Sequence, residues 1–139
     1  MADLQKTATS NIASLNIGKV ISIRGSVVDV RFDTLLPPIR SLLHTGTDNQ
    51  IAIEVFSQLD AHRIRGIALT PTQGLARGMS VEDTGKPLQA PVGKEILSRM
   101  FDVFGNTIDQ KPALKNAEWR SVHNEPPALE KRSTKTQVF

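Results

Sequence analysis

Three histidines, His44, His62 and His123, are the first side chains to test for metal binding or proton transfer. They stand far apart and show none of the short spacings of metal ligands. Each reads as a surface or turn histidine. Asp29 and the pair Glu82-Asp83 could serve as general acids or bases, but a solvated strand face accounts for them as well. A phosphate loop needs the spacing G-x-x-x-x-G-K-[ST], so that backbone amides and one ammonium surround the phosphates. "GLARGMS" brings its glycines too close together. Gly93-Lys94 is followed by Glu95, and Leu88 stands where the first glycine belongs. No nucleophile elbow G-x-S-x-G occurs. The absence of cysteine removes disulfides, thiol nucleophiles and cysteine-based zinc sites. No catalytic, cofactor-binding or metal-binding residue is assigned.

The elements are more legible than the chemistry. "GKVISIRGSVVDVRF", residues 18–32, alternates apolar and polar side chains and changes phase at Gly25-Ser26. Alternation marks a half-buried strand, and Gly at the first central position suits a type II′ turn. The spacing predicts a hairpin in which Ile23 faces Val28, Ile21 faces Val30 and Ser22 faces Asp29. A bulge in one long strand is the alternative. Pro37-Pro38 cannot lie in a central strand. Short strands are expected at Ser41–Thr45, in "QIAIEVF" (50–56), in "HRIRGIAL" (62–69) with a slip or bend at Gly66, in "SVEDT" and in "LQAPV". Many short strands with glycine at the bends argue a small closed or nearly closed antiparallel barrel.

The 139 residues make room for about one domain. With 39% apolar and 22% charged residues the composition is that of a globular chain. No apolar run reaches the ~18 residues of a membrane span. The opening "MADLQKTATSNIASLN" lacks the cationic start and oily core of a secretory signal and reads as a flexible polar tail, residues 1–16. The net charge of +3 raises the question of nucleic acid. The basic residues are scattered among carboxylates, aromatics are 4% and tyrosine is absent, so no stacking platform is expected.

Past Gly93 the pattern changes. Ile96, Leu97, Met100, Phe101 and Phe104 recur at helical spacing, and Gly105-Asn106 stops the run, which predicts a helix over 94–104. Residues 106–139 carry Pro112 and Pro126-Pro127 and no periodicity. A structureless stretch of that length is unusual inside a compact domain. With Val138-Phe139 at its end, the chain reads as a barrel (17–92) followed by the beginning of a second domain (93–139) that is cut off.

"GKVISIRGSVVDVRFDTLLPPI", "IAIEV", "RIRGIALTPTQGLARGMSVEDTG" and "PVGKEILSRMFDVFGNTID" stand in the order and spacing found at the start of one family. The chain resembles the N-terminal part of the catalytic β subunit of F-type ATP synthases, closely from Gly18 to about Ile108 and more loosely through "SVHNEPPALEKRSTKTQVF". The resemblance implies a mainly β fold: a six-stranded antiparallel barrel, one helix, and an irregular start of an α/β nucleotide-binding domain. It also implies packing beside α subunits in an alternating ring, within a complex coupling ATP synthesis or hydrolysis to proton or sodium transport. That complex is peripheral to the membrane on its cytoplasmic side. The phosphate loop, catalytic glutamate and magnesium ligands of the family lie downstream of Phe139, so Mg-ATP or ADP is a cofactor of the longer parent and none is expected here. No activity is expected of the chain alone, and self-association is expected of its unpartnered faces. The alternatives are a free-standing small barrel that binds nucleic acid or a small ligand, and the N-terminal domain of a related α-type or secretion ATPase.

Overall fold

A computed structural model describes residues 16–132 and Lys135. The expected polar tail therefore lies outside the described residues except for Asn16, as do Val138 and Phe139. Six strands close a barrel: β1 (Asn16–Arg24), β2 (Val27–Phe32), β3 (Ser41–Thr45), β4 (Ile51–Gln58), β5 (Arg63–Ala68) and β6 (Ser80–Pro87). Their spatial order is β1-β2-β5-β4-β3-β6, with every neighbour antiparallel and β6 returning to β1. Closure leaves no unpaired barrel edge. The inward residues of these strands, among them Val20, Val30, Phe32, Leu43, Ile53, Val55, Ile64 and Val81, form one buried core.

The hairpin joins β1 to β2 through Gly25-Ser26. Gly25 has φ 62° and Ser26 is not left-handed, which fits type II′ and not type I′. Ile23 faces Val28 and Ser22 faces Asp29, as the sequence predicts. The expected pair Ile21–Val30 does not form: Val20 faces Val30, because β1 bulges between Val20 and Ser22. The two readings of the sequence, hairpin and bulge, are thus both present. β1 pairs with β6 over Asn16–Lys19 and with β2 on its other side, and the bulge supplies the local bend that closure needs. A Cβ on Gly25 would touch nothing within 4 Å. Gly25→Val is therefore expected to cost only its backbone strain, about 1–3 kcal/mol, with Gly25→Asn milder. Thermal unfolding of the three proteins checks it, and equal midpoints would refute it.

Gly66 is not a slip in the alternation. Ile64, Gly66 and Ala68 all point inward, while Ile67 points outward and is 38% exposed. The irregularity belongs to the partner strand, where β4 bulges between Val55 and Ser57. A Cβ on Gly66 would overlap Ile53 Cγ2 and press on the Glu54 carbonyl oxygen at 3.0 Å. An inward position without a side chain lets β4 and β5 approach there.

The strand β7 (Gln89–Val92), expected within the barrel, pairs instead with β8 (Glu118–Ser121), a strand with no signal in the sequence. Together they make a separate two-stranded sheet, so the change of sheet falls between Pro87 and Gln89.

The helix expected over 94–104 does not form; no α-helix occurs among the described residues. Lys94–Ile96 make one 3₁₀ turn after Gly93, which offers no capping side chain, and Leu97 is already extended. Leu97 and Met100 are 70% and 60% exposed, and only Ile96, Phe101 and Phe104 of the apolar stripe are half-buried, so no continuous surface covers it. A helix that short is marginal without such packing. Local polar groups take the backbone instead. The Asp102 carboxylate accepts from the Phe104 and Asn106 amides, and Arg99 donates to Asp109 and to the Pro112 carbonyl.

Candidate assembly face

On the outer wall, Asp29 of β2 lies opposite Ser22 of β1 and Arg65 of β5. Arg65 donates from Nε to Oδ1 at 2.7 Å and from Nη2 to Oδ2 at 3.0 Å. Arg24 adds a third bond to Oδ2 at 3.2 Å. The two arginines cover the carboxylate, which is 7% exposed although it sits on the outside of the barrel. Arg65's paired bond holds the Asp29 carboxyl below its ordinary range against the opposing effect of burial, with Arg24 assisting. This cluster ties three strands together; it offers no free carboxylate for proton transfer.

A depressed folded-state pKa means stabilisation present above the ordinary carboxylate value, about 4, and lost as pH falls through the folded-state value. Asp29→Asn is expected to lower the urea midpoint at pH 6. The gap to wild type should narrow from about pH 5 down to about pH 2, as the wild-type carboxylate takes up its proton. A gap that stays constant with pH would show that the ion pair contributes nothing.

One row across the wall was not legible in the sequence. Lys19 faces Arg31, and Arg31 faces Arg63, on three successive strands. Directly opposed like charges are unfavourable, and Asp33 and Asp60 bond to Arg31 and Arg63 and offset them. The side chains that read as scattered along the chain are therefore brought into a line by the register.

Nearby, the outer side of β4–β5 and its flanks leaves Phe56 (63% exposed), Leu59, Ile67 and Leu69 facing solvent. Phe56 is the residue extruded by the β4 bulge. Scattered exposed apolar residues are ordinary, but several large ones on adjoining strands make a surface suited to a partner.

The remaining candidates stay separate. His44 bonds through Nδ1 to the Asn49 carbonyl, and the His62 amide donates to Asp60. His123, just past β8, bonds to Glu54 of β4 at 3.0 Å and ties the second sheet to the barrel. Glu82 faces His44 across β6–β3, while Asp83 accepts from Asn16 and from the Gly85 amide. Gly93-Lys94 opens a three-residue turn, which presents no helix terminus to a phosphate. Among the described residues no group of three or more histidines or carboxylates is placed to hold a metal ion. None of their helices is long and apolar enough to cross a membrane.

Residues 20–85 match the family model described as ATP synthase alpha/beta family, beta-barrel domain. The whole barrel wall just described falls within that span or at its borders. Over 131 residues, 91% of its length, the chain is 76% identical to ATP synthase subunit beta 1 of Marinomonas sp. (strain MWYL1). It is 71% identical over 127 residues, again 91% of its length, to ATP synthase subunit beta 2 of Shewanella frigidimarina. ATP synthase subunit beta 1 of Chlorobaculum tepidum is 60% identical over 88% of the chain. The chain spans about a quarter of the length of these relatives, 27%, 27% and 25%.

Proposed function

Because the chain belongs to the ATP synthase alpha/beta family, as an N-terminal β-barrel part of a β subunit, we propose that it serves assembly. Its barrel packs beside α-type subunits in an alternating ring. The parent complex couples ATP synthesis or hydrolysis to proton or sodium transport, and the longer subunit is peripheral to the membrane on the cytoplasmic side. Mg-ATP or ADP is held by the remainder of that subunit, as no phosphate cradle or carboxylate cluster is built from the residues described here. Division at 17–92 and 93–139 into barrel and nucleotide-domain beginning belongs to the same reading, with β7 and β8 as the join.

The observation that carries the assembly role is the exposed apolar set on β4–β5, above all Phe56, on a barrel whose own core is already complete. Co-expression with the α subunit of the same source is expected to give a complex that survives gel filtration. Phe56→Glu should leave the barrel folded, since Phe56 contributes little to the core, and should reduce complex formation about tenfold or more. A variant that assembles as well as wild type would overturn the placement of the interface.

A further inference from the structure

We propose that the cleft between the outer wall of the barrel and the β7–β8 sheet binds a planar aromatic molecule bearing one anionic group. The cleft encloses about 450 Å³, within the range of small-molecule sites, ~300–1,000 Å³. Leu42 of β3 forms part of its floor, while Phe104 and Trp119 line it from the other side. Trp119 is seated against Gly105, where a Cβ would stand 2.6 Å from its Cζ3. The indole is thus fixed in place yet 44% exposed. A slot with two aromatic side chains favours a flat ring, which stacks on or meets such faces edge-on.

The charge of the ligand follows from the rim. No aspartate or glutamate lines the cleft, and one lysine, Lys86, does. Its ammonium has no acid partner among the described residues. Of the carboxylates bordering the lining residues, Glu54, opposite Leu42, bonds to His123, Asp102 accepts from Asn106, and Glu82, opposite His44, lies outside the lining. His44 donates from Nδ1 to the Asn49 carbonyl. A single ammonium with neutral amides such as Gln89 around it matches one negative charge; a compact phosphate would carry more charge than the rim can pair.

The sequence holds one tryptophan, so the Trp119 indole N–H gives a single, unambiguous resonance. The full chain, labelled with ¹⁵N, is titrated with naphthalene-2-sulfonate and separately with its uncharged sulfonamide. The sulfonate is expected to shift the Trp119 indole resonance saturably, and to bind about tenfold more tightly than the sulfonamide. Lys86→Gln should remove that advantage and bring both probes to the same weak affinity, while its barrel amide resonances remain those of wild type. Equal binding of the two probes to wild type, an unchanged sulfonate affinity in Lys86→Gln, or a shift that rises without saturation would each overturn the proposal.

Discussion

Phe32→Ala is expected to lower stability by about 3–5 kcal/mol, the range for emptying a large aromatic site in a packed core. Phe32 is 1% exposed, the largest of the fully buried side chains, and lies at the end of β2 where the barrel closes on β1. Its ring fills the space beside Gly18, its cross-strand partner. A Cβ on Gly18 would stand 2.8 Å from the ring's Cζ and 2.7 Å from the Arg31 carbonyl oxygen. The neighbouring backbone is therefore shaped to the ring and cannot collapse far into the cavity left by alanine. A barrel of this size has only a few kcal/mol in reserve, so the variant should be largely unfolded at room temperature. Urea denaturation followed by circular dichroism checks it. An unfolding free energy within about 0.5 kcal/mol of wild type, the usual span for exposed sites, would mean that Phe32 does not fill the core.

The second large effect is at Gly66. Here the strain is steric and not conformational, since Gly66 is absent from the left-handed residues. Gly66→Ala should destabilise by about 1–3 kcal/mol through overpacking, and Gly66→Val by more, as a branched side chain cannot avoid Ile53 Cγ2. Ile53→Ala removes Cγ2, the atom that a Cβ at position 66 would meet. The double variant Gly66→Ala/Ile53→Ala is therefore expected to cost less than the sum of the two single substitutions. Additive destabilisation of the two substitutions would show that the clash lies elsewhere.

Gly25 and Gly66 show where the sequence is informative and where it is not. The Gly25-Ser26 turn was legible because its determinants are local: one left-handed glycine between two alternating runs. The register beyond it was off by one residue at Ile21, because the bulge there answers a tertiary demand, the pairing of β1 with two neighbours. Gly66 looked like a phase slip because alternation is read from side chains, and the inward residue has none. Ile67 and Leu69 then carried an apparent period on the outer face. The apolar spacing of 94–104 resembled an amphipathic helix, yet such a period needs a surface to bury against, and the Asp102 turn and the Arg99–Asp109 pair won locally. β8 gave no signal because "EWRS" is largely exposed and pairs with a strand far away in the chain. The cleft beneath Trp119 was invisible for the same reason: it is made of segments that only the folded chain brings together.

The separation of β7–β8 from the barrel has a kinetic corollary. Barrel amides such as those of Val28, Ile53 and Ile64 are bonded on closed strands around a buried core, so their exchange with solvent deuterium requires the whole barrel to open. The four residues of β8 include none that is buried, and only Pro91 is buried in β7. That sheet is held to the wall by the His123–Glu54 bond, an attachment that can release while the barrel stays closed. Deuterium uptake should accordingly fall into two classes, a slow one that tracks global unfolding and a fast one at Glu118–Ser121 that urea barely accelerates. The molecule would then behave as two units of opening, a durable cylinder and a strap that lifts from it many times before the cylinder yields.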